Sequence, residues 1–131
     1  MIEEISVSTN AHDAFVDVTR EVAALVQKSG KDEGVVTLFV PHTTAAVTIQ
    51  ENADPPLKAD LQRAWERLFP WEGDYRHGED NAAAHMKAAM LGPSVTVPFA
   101  GGRLVLGTWQ SIYFCEFDGP RSRRLVVRVG D

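Results

Sequence analysis

Cysteine is almost missing from this chain. The single Cys115 among 131 residues excludes an internal disulfide, and its neighbours Tyr113, Phe114 and Phe117 predict a buried strand in which the thiol is inert. Basic excess is missing as well: the formal net charge is -5, which gives no general attraction to nucleic acid or anionic lipid, so no nucleic-acid partner is expected. Nowhere do 18 apolar residues follow one another, and the N-terminus MIEEISVSTN has no basic region before a long apolar run. The expectation is a cytoplasmic chain without a membrane partner. Repeats, low-complexity tracts, linkers and a Gly-rich phosphate loop are also absent. What remains, with 44% hydrophobic and 24% charged residues, is enough for one domain with one core over residues 1–131.

The stretch that organises the chain is VVTLFVPHTTAAVTIQE (35–51). Read with the two-residue period of a strand, Val36, Leu38 and Val40 share a face, and His42 is next in that row. Ala45, Val47 and Ile49 form a second apolar row, which runs into Glu51. An ionisable group at the rim of each apolar row is placed where partial desolvation and near neighbours shift a pKa most.

Around this pair, residues 2–9 read as a first strand through Ile5 and Val7. Phe15, Val18, Val22, Leu25 and Val26 recur at helical spacing and predict a helix over 19–29, capped by Asp17 or Thr19 and stopped at Ser29-Gly30. Asp54-Pro55 starts a second helix with the stripe Leu57, Leu61, Ala64, Trp65 and Leu68 as its core face, ending before Pro70. Residues 71–80 form an irregular Gly-rich loop carrying His77. A third helix, 81–91, is capped by Asp80 or Asn81 and closed at Gly92, with Asn81, His85 and Ala88 on one face and Met86 and Met90 on another. The rest is β: 94–98, a Gly101-Gly102 hairpin, 103–106, 110–117, an Asp118-Gly119-Pro120 turn, and 123–129 with Leu125, Val127 and Val129 inward. Strands, then helices, then antiparallel hairpins predict an α+β domain rather than a parallel doubly wound one.

His42, His77 and His85 lie near polar residues, whereas His12 has no such company. Three neutral imidazoles and a water make one known form of catalytic zinc site, and hydrogen-bonding histidines without a metal are the alternative. Glu51 suits a general base, a metal ligand, or a partner that fixes an imidazole tautomer; a strand-end salt bridge is the plainer role. Arg121, after a Gly-Pro turn, suits bidentate capture of phosphate or carboxylate with hydroxyl help from Thr43, Thr44 and Ser122, against plain surface charge.

The segments PHTTAAVTIQENADP (41–55), YRHGEDNAAAHMKAAMLG (75–92), GGRLVLGTWQ (101–110) and EFDGPRSRRLVV (116–127) together resemble the YjbQ-like family, labelled secondary thiamine-phosphate synthase. The resemblance spans nearly the whole chain. It implies a single α+β domain whose mainly antiparallel or mixed β-sheet folds into a sandwich or barrel with about three helices, assembly into a homotrimer, and a site near the subunit boundary. Site positions implied residue by residue are His42, Thr43, Glu51, His77, Asn81, His85, Gln110 and Arg121. The labelled reaction joins a pyrimidine methyl diphosphate to a thiazole phosphate and expels diphosphate, ordinarily with Mg²⁺ held by carboxylates and phosphates. Imidazoles favour zinc over magnesium. The resulting expectation is a divalent metal on His42, His77 and His85, with Glu51 and His85 moving protons. Thr43, Thr44, Asn81, Gln110 and Arg121 would hold a small phosphorylated or anionic molecule. The competing readings are a metal-assisted hydrolase or lyase on such a molecule, and a non-catalytic trimeric module that binds it.

Overall fold

Period-two burial builds most of the molecule. The computed structural model describes residues 1–130. In chain order the elements are β1 (Ile2–Ser8), β2 (Ala14–Asp17), α1 (Thr19–Lys28), β3 (Gly34–Phe39), β4 (Ala45–Glu51), α2 (Pro55–Leu68), α3 (Ala82–Leu91), β5 (Ser94–Ala100), β6 (Arg103–Leu104), β7 (Gln110–Glu116) and β8 (Ser122–Gly130). Five strands form one sheet in the order β1-β8-β3-β5-β6, and three form another in the order β2-β7-β4. Every pairing is antiparallel. The expected α+β domain with a folded sheet and three helices is what the chain forms.

The main core lies between the two sheets and is closed by α1. Val36 and Leu38 of β3, Leu125, Val127 and Val129 of β8, Val47 of β4, Phe114 of β7, and Val22 and Val26 of α1 meet there, all fully buried. On β8 the alternate neighbours Arg124 and Arg128 face out. The small sheet is buried on its other face too. There Ala46, Tyr113, Cys115 and Phe117 pack against Ala84 and Ala88 of α3, with Trp65 of α2 at the margin. Alanine lets α3 lie close to β4, which is the packing role its small side chains predict. Cys115 is buried, and burial pushes its thiol far above the usual range.

Four local expectations change. The runs 36–40 and 45–51 are not partners of one another: β3 belongs to the larger sheet and β4 to the smaller, so residues 40–44 carry the chain between layers. Phe15 is not part of a helix but of β2, opposite Cys115 on β7. Its helical spacing to Val18 was accidental, because Asp17 ends the strand and accepts the Thr19 amide at 2.9 Å to start α1. Asp54 sits at the N-cap of α2 without a side-chain cap bond. Pro55 and Pro56 have no N–H to donate, and the first one available, on Leu57, goes to the Asp54 carbonyl at 3.0 Å. The stripe on α2 is a shallow contact rather than a core face. None of its residues is buried, and Leu68 is 63% exposed.

The Gly101-Gly102 hairpin is as expected, with φ of 61° and 70° at the two glycines, the double left-handed turn that matches strand twist. Among the described residues no helix is long and apolar enough to cross a membrane.

Candidate functional site

The crossover from β3 to β4 is fixed from beneath by a buried ion pair. Arg123, at the start of the inward row of β8, donates from Nε to Glu116 Oε1 at 2.8 Å and from Nη2 to Glu116 Oε2, and the same Nη2 reaches Thr44 Oγ1 at 2.8 Å. Glu116 also accepts from Thr9 Oγ1 at 2.8 Å and from the amides of Phe117 and Asp118 at 3.1 and 3.0 Å. Burial alone would raise the Glu116 carboxyl, but the bonds from Arg123, Asp118 and Thr9 together with the Arg123 charge outweigh it and hold the group below its ordinary range. Thr44, expected as an anion donor, is therefore 7% exposed and committed to Arg123. The turn that follows packs tightly: a Cβ at Gly119 would collide with the Ala11 carbonyl and stand 2.8 Å from Glu116 Cγ.

Above this pair stands His42. Its Nε2 accepts the backbone N–H of Arg124 at 3.1 Å, so the neutral ring carries its proton on Nδ1 and offers a donor rather than a second lone pair. Partial burial, then the Arg123 and Arg124 charges, push its pKa below 6.5, which keeps the ring neutral at pH 7. His42, Thr43 and His85 share one cavity of about 290 Å³ between the crossover and α3. His85 in turn meets His77 edge-on, ring centroids 4.8 Å apart.

A second chain of contacts reaches α3 from the β7–β8 turn. Arg121 donates from Nε to the Asp118 carbonyl at 2.7 Å and from Nη2 to Asp118 Oδ2 at 3.2 Å. The same carboxylate oxygen accepts Asn81 Nδ2 at 2.9 Å. Asn81 occupies the N-cap of α3 but makes no side-chain cap bond; its amide is turned to Asp118, and its Oδ1 is buried without a donor. One helical turn later comes His85. Arg121 is exposed, and its two bonds to Asp118 fix the direction of the guanidinium.

The structure thus brings together His42, Thr43 and His85 around a cavity, adds His77 through His85, and joins Arg121 to Asn81. It does not bring Glu51 or Gln110 to them. Glu51 and Gln110 face one another where β4 and β7 begin to pair, and β4 is seven residues long, so at ~3.3 Å per residue they lie about 20 Å from the crossover. Gln110 Oε1 there accepts the Gly107 amide at 2.8 Å. His12 is in closer company than the sequence suggested, paired with Asp13 and at right angles to the Trp71 ring at 4.2 Å.

The donor set of one chain does not make a three-imidazole metal centre. His42 has its lone pair engaged by Arg124, and among the described residues no group of three or more His, Cys, Asp or Glu is placed to hold a metal ion.

Two participants escaped the sequence reading: Asp118, and the pair Glu116–Arg123. A signal for the pair was present. Glu116 continues the row Ile112, Phe114, and Arg123 opens the row Leu125, Val127, Val129, so opposite charges end two apolar rows across one short turn. That is the pattern used to single out His42 and Glu51.

A family model described as UPF0047 protein YjbQ-like matches residues 3–131. The UPF0047 protein YugU of Bacillus subtilis is 47% identical over 130 residues, covering 98% of each chain. A crystal structure of a YjbQ/UPF0047-family protein from Clostridium acetobutylicum is similar with TM-score 0.96 and 45% identity, covering 98% of this chain and 99% of that one. Another, described as a YbjQ-like protein of unknown function from Sulfolobus solfataricus, gives 0.93 at 36% identity, covering 97% of this chain and 94% of that one.

Proposed function

We propose that this chain, which belongs to the YjbQ-like UPF0047 family, holds a small phosphorylated or anionic molecule in the cytoplasm, at the cavity between the β3–β4 crossover and α3. The observation that carries the reading is the shared cavity of His42, Thr43 and His85. His42 is there a neutral imidazole with its proton on Nδ1, Thr43 adds a hydroxyl, and Asp118, which also binds Asn81 at the N-cap of α3, fixes the direction of the Arg121 guanidinium. Donors of this kind stabilise negative charge on a bound or departing group.

The reaction this reading supports is the thiamine-phosphate synthase type. The bond between the pyrimidine methylene carbon and the diphosphate oxygen breaks with its electron pair leaving on diphosphate, and the thiazole nitrogen lone pair forms the new bond to that carbon. His42, Thr43 and Arg121 receive the diphosphate charge, and His85 gives a proton to the departing diphosphate oxygen and regains one from water after release. Glu51 and Gln110 take part only if a second copy brings them, which is why the reading includes the homotrimer. A divalent ion, zinc before magnesium, fits only with a further donor from that second copy, and no step here runs through one.

The test is turnover of the pyrimidine methyl diphosphate with thiazole phosphate, beside calorimetric binding of inorganic phosphate and diphosphate. Product formed by the wild type and abolished in His85→Ala supports the transferase. Binding without turnover of this pair or of simple phosphate esters identifies the binding module, and ester cleavage identifies the hydrolase. No anion binding, or binding unaltered in Arg121→Gln and His42→Phe, removes the site.

A further inference from the structure

The loop 71–80 encloses a second cavity of about 240 Å³, lined by Trp71, Glu72, Gly73, Tyr75, His77 and Asp80, with Ala82 of α3 at its floor. Its chemistry is opposite to that of the His42 cavity. Two aromatic residues and two carboxylate residues line it, neither Lys nor Arg does, and His77 is the one lining residue able to carry positive charge.

Both rings are held from outside the cavity. The Trp71 amide donates to Glu66 Oε1 at 2.6 Å, and its ring stands against His12 at 87°. The Tyr75 hydroxyl donates to the Pro70 carbonyl at 2.6 Å, and its ring covers Gly73, where a Cβ would come within 2.7 Å of two ring carbons. Glycine at 73 is therefore what allows the ring to fold over the loop. Elsewhere the protein supplies its own cations to aromatic faces, Lys58 over Tyr113 and Lys87 over Phe117. Among the described residues no Lys or Arg stands over Trp71 or Tyr75, and the ring beside Trp71 is the His12 imidazole. The segment between lining residues Asp80 and Ala82 also holds Asn81, 9% exposed, whose buried Oδ1 lacks a donor.

Fixed aromatic faces with carboxylates and no competing cation form the setting that takes an ammonium or a ring cation. We infer that the 71–80 cavity is an organic-cation site, and that its ligand is a single molecule, or a reacting pair, with a cationic group here and an anionic group at the His42 cavity. His77 lines the first cavity and His85 the second, and their rings touch, so the two cavities adjoin across this pair. The second part rests on the proposed anion site; the first does not.

The experiment follows the Trp71 indole and Gly73 amide resonances of the full chain during titration with choline, with its neutral isostere 3,3-dimethylbutan-1-ol, with inorganic phosphate and with phosphocholine. Choline is expected to shift both resonances and the neutral isostere neither. In Glu72→Gln/Asp80→Asn choline binding falls about tenfold or more. Both positions are exposed, and Asn tolerates the φ of 59° that Asp80 adopts, so folding is retained. Equal response to choline and its isostere, or unchanged affinity in the double variant, overturns the cation site. Phosphocholine should bind at least tenfold tighter than choline, an advantage lost in His42→Phe; equal affinities overturn the two-ended ligand. Choline binding with no phosphate binding leaves the cation site standing and removes the anion site, and the reverse result does the opposite.

Discussion

The two ends of the β4–β7 ladder are built on different principles. At one end Ala45 opposes Glu116, and a buried ion pair with a committed threonine fixes the His42 crossover. At the other, Glu51 opposes Gln110, the neighbouring Trp109 is 62% exposed, and the polar side chains mainly hold their own turns. At the first end the ion pair and the threonine are satisfied within one chain. The second presents an acid, an amide and a large exposed apolar ring.

The strongest way to break this comparison is to remove one half of the buried pair. Glu116→Leu leaves the Arg123 guanidinium buried without a counter-charge, and stability measured by urea unfolding should fall by about 3–5 kcal/mol. Adding Arg123→Met should recover most of the loss, because a well-packed apolar pair replaces the ionic one. A small loss in the single variant would mean that the crossover is not held by the pair.

Next in size is a test of sharing. If a second copy supplies Glu51, inactive His85→Ala and Glu51→Gln chains, dissociated and reassembled together, recover activity at boundaries where two intact halves meet. No recovery, or a monomer in light scattering at micromolar concentration, leaves the two ends unrelated.

The pH dependence is smaller and has a definite sign. Glu116 is held below its ordinary 4.5, so its contribution is present above about pH 4.5 and is lost as pH falls through the folded value. His42, held below 6.5, binds its proton less readily folded than unfolded, so its contribution is full above pH 6.5 and declines below it. Both make the chain weaker in acid. His42 should titrate by NMR with a midpoint below 6.5, and a midpoint above that value would remove the neutral Nδ1–H donor. The smallest expected effect belongs to Glu51→Gln on stability, within about 0.5 kcal/mol; a larger loss would show that the open end is structural.

Much of the fold was legible because period-two and period-3.6 burial are local properties. Val36, Leu38, Leu125, Val127 and Val129 are buried as their alternation requires, and α3 closes at Gly92 with φ of 96°. Where the reading failed, partners distant in sequence decided. Phe15 went to a strand because Cys115 offered it a ladder, and Asn81 left its capping role because Asp118 lay within reach. Of the candidate site residues, His42 and His85 line one cavity, whereas Thr44 is taken by Arg123.

The sequence by itself determined which faces are apolar, where helices stop, and that ionisable groups end the apolar rows. Alternation and chain stiffness act over a few residues and need no partner. Only the tertiary structure decided that β3 and β4 belong to different sheets, and that decision set His42 against α3 while sending Glu51 to the far rim. Burial of both faces of the small sheet enforced it, since pairing β3 with β4 would have left the alanine face of α3 with nothing to pack against.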